Sequence, residues 1–148
     1  MYSDVYFDPS DQETPLSLKN DHTLKNNTSK AEFPIINNIP TFVDEDNYAD
    51  AFGIQWNKYP KLQLDSYTEL TLSKKRLQDH LPYPLEELKG KLVLEAGSGA
   101  GRFTEILLEY GAIVHSFDLS NAVQANYLNN QNDNLSLCQA GIYNMPFK

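Results

Sequence analysis

Apolar positions change their rhythm along this chain. Leu92-Val93-Leu94 is a short continuous apolar run, the pattern of a strand buried in a parallel sheet. Glycines follow at 97, 99 and 101, and then Phe103, Ile106, Leu107 and Tyr110 recur at helical spacing until Gly111. Ile113-Val114-His115-Ser116-Phe117 reads as a second strand ending at Asp118. Ser120 is placed to cap a helix through Ala122, Val123, Ala125, Asn126 and Leu128. After a polar loop over 129–134, Leu135 to Ala140 reads as a third strand. The order β-α-β-α-β predicts parallel strands joined by right-handed crossovers.

Upstream, the pattern is weaker. Leu16-Ser17-Leu18 is a short strand candidate, while residues 8–13 and 25–29 read as polar turns. Phe33 to Ile36 and Ile39 to Val43 are β-rich runs separated by Asn37-Asn38, which predicts a small hairpin. Residues 44–82 read as helix in pieces. Asp44 or Asp46 could cap one through Tyr48 and Phe52, Ser66 with Glu69 matches a capping box, and Ser73 could cap a helix carrying Leu77 and Leu81. Pro84 at a helix start fits a further helix from Leu85 to Leu88, and Gly90 ends it. Lys74-Lys75-Arg76 reads as a solvated face.

Composition narrows the function. The chain has 148 residues, 41% of them apolar, and no run near the roughly 18 apolar residues of a membrane span. Met1 to Asp4 lacks the basic and apolar regions of a secretory signal, so a soluble, cytoplasmic protein is expected. The single cysteine, Cys138, excludes an internal disulfide framework and a four-cysteine zinc site. His22, His80 and His115 have no metal-ligand spacing. The formal charge is -8, and ten acids against three bases fall in residues 1–50. Nucleic acid is therefore not an expected partner. The acidic front part reads as a solvated, poorly packed segment.

The chemistry concentrates at the glycine turn. Glycines between a buried strand and a helix let a ligand approach main-chain N–H groups at the helix start. The dinucleotide fingerprint G-x-G-x-x-G needs a third glycine at 102, where Arg102 stands. What is present is acidic-x-Gly-x-Gly-x-Gly, at Glu95, Gly97, Gly99 and Gly101. That pattern suits S-adenosylmethionine, which carries a zwitterionic amino acid and a sulfonium in place of a pyrophosphate. Glu95 can face a cationic group. Asp118, 21 residues beyond Gly97, can accept both ribose hydroxyls.

Leu92 to Asp118 resembles the first motif and the following acidic position of class I S-adenosylmethionine-dependent methyltransferases. Gln139 to Phe147 resembles the segment after their third strand. Phe33 to Pro40 and Asn47 to Asn57 resemble a subgroup with a small N-terminal module and a helical bridge. The resemblance implies an α/β fold: an incomplete Rossmann-like three-layer parallel sheet, its first three strands. It places a partly disordered N-terminal module at 1–45, the helical bridge at 46–90 and the first half of the cofactor domain at 91–148. The cysteine pairs of the subgroup's zinc-ribbon-like module are absent, so no metal is expected.

Carried over by position, Glu95, Gly97 and Gly99 line the methionine end, and Gly101 starts the helix. Asp118 and Leu119 hold the ribose and adenosine. The acid that usually follows Ala140 is Gly141 here, which leaves the Ile142 N–H to meet the adenine. The resemblance implies that Trp56 and Gln55 cover the cleft, with a core or interface role for Trp56 as the equal alternative. The family's fourth strand, which borders the methyl acceptor, has no counterpart, and no catalytic residue is assigned. The chain alone is expected to bind the cofactor weakly without turnover. It would be a fragment, a degenerate product or half of a split enzyme. The open edge of its first strand would be met by self-association or a second polypeptide. A non-catalytic binding module is the alternative, and NAD-dependent oxidoreduction is disfavoured by Arg102.

Overall fold

The computed structural model describes residues 4–44 and 55–148. Two sheets are built from them. The first is antiparallel, in the order β1 (Leu16–Asn20), β2 (Thr23–Asn26), β3 (Glu32–Ile36) and β4 (Ile39–Pro40). Its last two strands are the hairpin expected from the sequence, with Ile36 opposite Ile39. Asn37 and Asn38 both take positive φ, 50° and 69°, as a two-residue hairpin turn that matches strand twist requires.

β2 departs from expectation. Lys25 and Asn26 read as turn residues, yet they end a strand. Asn26 is buried, and its amide donates to Asp8 Oδ2 at 2.7 Å while its Oδ1 accepts from the N–H groups of Thr28 and Ser29. The turn-forming habit of asparagine is thus expressed by the side chain, which leaves the backbone free for the ladder.

The acidic front part is packed, contrary to the sequence reading. Tyr6, Leu16, Leu24 and Ile35 close over Phe117, Cys138, Ala140 and Phe147 in one core. The Tyr6 hydroxyl donates to the Leu137 carbonyl, and the Phe42 N–H donates to the Gln139 carbonyl. Among the described residues, the front acids Asp4, Asp11, Glu13, Asp21, Glu32 and Asp44 are exposed, and Asp8 is buried. Burial raises the Asp8 carboxyl, but hydrogen bonds from Ser10 and Asn26 outweigh it and leave the group below its ordinary value.

The second sheet is parallel, in the order β5 (Leu92–Ala96), β6 (Ile113–Asp118) and β7 (Leu135–Gln139). The helices around it are α1 (Asp65–Thr68), α2 (Leu72–His80), α3 (Arg102–Glu109) and α4 (Val123–Asn129), with a 3-10 turn at Leu85–Leu88. Leu85, Leu88, Ile106 and Leu107 pack with Val93 and Val114 on one face. Val123 packs on Leu137 and Ile39. The sheet is therefore covered on that side, and the chain is a mixed α/β structure.

β5 is not buried on both faces, as its apolar run suggested. It pairs only with β6 among the described residues, and Leu92 and Leu94 are 61% and 49% exposed. On the same face Ile113 is 41% exposed, whereas Phe117 lies under the antiparallel sheet.

The helix starts also differ. Ser66 and Glu69 make no capping box: Leu64 is the N-cap of α1, and Glu69 ends the helix in a left-handed conformation. Ser73 does not cap α2. Asp65 does so from the preceding helix, accepting from the Ser73 and Lys74 N–H groups at 2.9 Å each. Lys74 is not merely solvated, since its ammonium lies 3.7 Å from Glu109 and 4.8 Å from the centre of the Tyr110 ring. The helix expected through Tyr48 and Phe52 lies outside the described residues. No helix among those described is long and apolar enough to cross a membrane.

Candidate ligand-binding cleft at the glycine turn

Parallel pairing brings the carboxyl ends of β5 and β6 side by side, with Ala96 in register with Phe117. The glycine turn leaves β5 there and folds back on β6. The N–H groups of Gly97 and Ser98 both donate to the Phe117 carbonyl, at 2.9 and 3.1 Å. Asp118 completes the tie: its Oδ2 accepts from the Gly99 N–H at 2.8 Å, and its Oδ1 accepts from the Ser120 N–H and hydroxyl. A carboxylate offers about four lone-pair sites, so Asp118 keeps acceptor capacity toward the space it borders.

That space is a cleft of about 410 Å³, lined by Trp56, Ser98, Arg102, Asp118 and Leu119 among others. Gly97 and Gly99 also line it, and a Cβ added to either would meet open space. At these two positions the cleft is bordered by bare backbone, and both glycines hold positive φ, 78° and 53°.

Gly101 has a different reason to be glycine. Its φ is 90°, and a Cβ there would collide with the side chains of Asn126 and Asn130. Those amides hold the turn from below. Asn130 Nδ2 donates to the Gly101 carbonyl at 3.0 Å and to Asn126 Oδ1 at 2.9 Å, while Asn129 Nδ2 donates to the Ala100 and Pro60 carbonyls. Sequence reasoning passed over this clamp. Its signal is three asparagines at i, i+3 and i+4 on α4, a spacing that puts their side chains on one face.

Glu95 sits beneath the cleft and is not among its lining residues. Its Oε2 accepts from the Thr104 hydroxyl at 2.5 Å and from the Ser116 hydroxyl at 2.9 Å. Asn126 Nδ2 in turn donates to Thr104 Oγ1 at 3.0 Å. Burial raises the Glu95 carboxyl above its ordinary value, the hydrogen bonds from Thr104 and Ser116 oppose the rise, and Asp118 adds to it.

Of the other predicted residues, Leu119 reaches the cleft, Gly101 is buried behind it, and Ile142 is 60% exposed and outside its lining. Trp56 lines the cleft and Gln55 is exposed.

No family model matches this chain, and no curated protein sequence matches it.

The remaining candidates are structural. His115 stacks on Phe147 with ring centres 4.9 Å apart, and burial lowers its basicity. Cys138 is fully buried, which pushes its thiol well above the ordinary value and away from a nucleophilic thiolate. No group of three potential metal ligands occurs among the described residues. A second hollow of about 450 Å³ lies near Val5, Asn38, Tyr127 and Leu137. Its lining includes none of the buried polar atoms that lack a partner among the described residues: those are Glu95 Oε1, Ser98 Oγ and Arg102 Nε, all at the glycine turn or the strand and helix flanking it.

Proposed function

We propose that the cleft is an S-adenosylmethionine site on a Rossmann-like sheet, and that the chain belongs with the class I methyltransferases as their cofactor-binding half. The observation that carries this reading is the Asp118 carboxylate against the glycine turn, 2.8 Å from the Gly99 N–H. It sets an acceptor for ribose hydroxyls at the end of one parallel strand and an open backbone floor at the end of the next, the place where open α/β sheets bind nucleosides.

The residues fit the group. The open space over Gly97 and Gly99 admits the chain of the cofactor, Asp118 and Leu119 flank the nucleoside, and Trp56 closes the side. Bound there, the cofactor would supply an electrophilic methyl group. Glu95 supports the turn through Thr104 and Asn126 and does not contact the ligand in this reading. Transfer requires the acceptor held in line with the sulfonium, and the reading assigns none of the described residues to that role. A binding module derived from the same fold is the second reading. The exposed Leu92, Leu94 and Ile113 favour it, as a face for a second copy or another polypeptide.

Calorimetry on the full chain decides the matter. S-adenosylmethionine and S-adenosylhomocysteine should bind with dissociation constants of about 1 mM or tighter, near -4 kcal/mol. Asp118→Ala should weaken both by about 1–3 kcal/mol, the worth of charged hydrogen bonds. Folded protein that gives no heat at millimolar ligand overturns the cofactor. Undiminished binding by the variant overturns the ribose role.

A further inference from the structure

β7 borders the parallel sheet on the side away from β5. The antiparallel sheet covers this flank except at one gap. The ladder from β7 to β6 uses alternate residues: the Val114 N–H donates to the Asn134 carbonyl, and the Ala140 N–H donates to the Asp118 carbonyl. Leu135, Leu137 and Gln139 therefore turn their main-chain groups the other way. Beside Gln139 the chain leaving β4 runs parallel to β7, with Thr41 opposite Gln139 and the Phe42 N–H donating to the Gln139 carbonyl. Two residues back along that lane stands Pro40, which has no N–H to give. The Tyr6 hydroxyl meets the Leu137 carbonyl instead, at 3.0 Å. The Leu135 N–H donates to the Asn132 carbonyl. That leaves the Leu135 carbonyl and the Leu137 N–H, on two residues that line the hollow of about 450 Å³. The lane ahead of β4 holds no strand among the described residues, because β4 is entered from β3 through the tight Asn37-Asn38 turn.

We propose that this gap docks an extended peptide, which runs parallel to β7 and carries a basic residue toward its N-terminal end. Strand addition to a sheet edge draws its affinity from main-chain hydrogen bonds. The direction follows from which groups are left. In a parallel pairing one residue donates its N–H to the carbonyl before its opposite number and accepts from the N–H after it. Leu135 and Leu137 offer that pair around Ser136. An antiparallel partner needs the N–H and the carbonyl of one residue, and Leu137 has given its carbonyl to Tyr6 while Leu135 has given its N–H to Asn132. β4 closes the forward end of the lane. Backwards it opens past Gln131 and Asn132, which also border a shallower hollow with Asp133 and Asn134. The N-terminal part of the peptide lies there. Asp133 is the one charged residue among the described linings of the two hollows, and it is exposed. A cation at that end is favoured by Asp133 and by the net charge of -8. The gap shares no lining residue with the glycine-turn cleft, so the proposal does not rest on the cofactor reading.

The test is amide NMR of the isotope-labelled full chain, titrated with acetyl-Lys-Ala-Val-Thr-Val-amide. The Leu137 amide should shift with a dissociation constant of about 1 mM or tighter. Its hydrogen exchange should slow about tenfold once the peptide stands about tenfold above that constant. Methylating every backbone nitrogen of the peptide should abolish the shift. Glutamate in place of the peptide lysine should weaken binding about twofold to fivefold, the worth of an exposed ion pair, and Asp133→Lys should reverse that preference. A nitroxide in place of the acetyl group should broaden Asp133 and Asn134 more than Thr41 and Phe42. A Leu137 amide that stays unmoved in about 10 mM peptide overturns the site. Shifts confined to Leu92–Ala96 do the same, by placing the peptide on the β5 edge. Stronger broadening at Thr41 and Phe42 overturns the parallel direction, and equal affinity for the lysine and glutamate peptides overturns the basic ligand.

Discussion

Burial at Glu95 has a consequence that can be read in solution. Because the folded carboxyl binds its proton more tightly than the unfolded one, the native state holds extra proton above about pH 4.5. The contribution of Glu95 to stability is full below that pH and is lost as pH rises through the raised folded value. Glu95→Gln abolishes the titration, so urea unfolding of the variant should show a flatter pH dependence of stability between about pH 4.5 and 7. Equal slopes would mean that the carboxylate is solvated. Asp8 has the opposite sign and acts in another window: its lowered value makes its contribution present at neutral pH and lost only below about pH 3.8. The place of Asp118 against the glycine turn was legible from its position at a strand end. Ser98 was not, since a serine in a loop is unremarkable until burial leaves its hydroxyl unpaired.

Helix starts illustrate what the sequence cannot express. Ser66, Glu69 and Ser73 carry local capping signals, yet the first N–H groups of α1 and α2 are met from a distance. Glu105 on α3 accepts from the Asp65 N–H at 3.0 Å, and Asp65 accepts from Ser73 and Lys74. A carboxylate brought by packing displaces a hydroxyl offered by the chain, because it can accept from two N–H groups at once and favours the positive helix end. Asp65→Ala should therefore cost about 1–2 kcal/mol in urea unfolding, whereas Ser66→Ala should stay within about 0.5 kcal/mol. Comparable losses would restore the local capping box. Where an element is fixed by its own residues, as in the Asn37-Asn38 hairpin or the strand-glycine-helix unit at 92–109, the pattern was sufficient. β2 escaped because its buried Asn26 imitates a turn.

Across the molecule, one flank of the parallel sheet is finished and the other is open. The antiparallel sheet seals β6 and β7 through Tyr6, Leu16 and Phe117, but β5 presents a single-sided ladder with Leu92 and Leu94 exposed beside it. Unpaired strand edges with apolar neighbours template association. Sedimentation velocity should show concentration-dependent self-association that Leu94→Lys reduces; an unchanged distribution would put the contact elsewhere. The run Leu92-Val93-Leu94 correctly announced a strand, but its burial depends on which neighbours flank it, and no local pattern encodes that.

The shared core has a further use. Cys138 lies at 0% exposure among residues drawn from both sheets, with a thiol that burial keeps protonated. A thiol reagent can reach it only when the core that the two sheets share opens. The chain thus carries its own stopwatch. The pace at which native protein takes up such a label measures how often its two sheets part, and whether they part together with global unfolding or ahead of it.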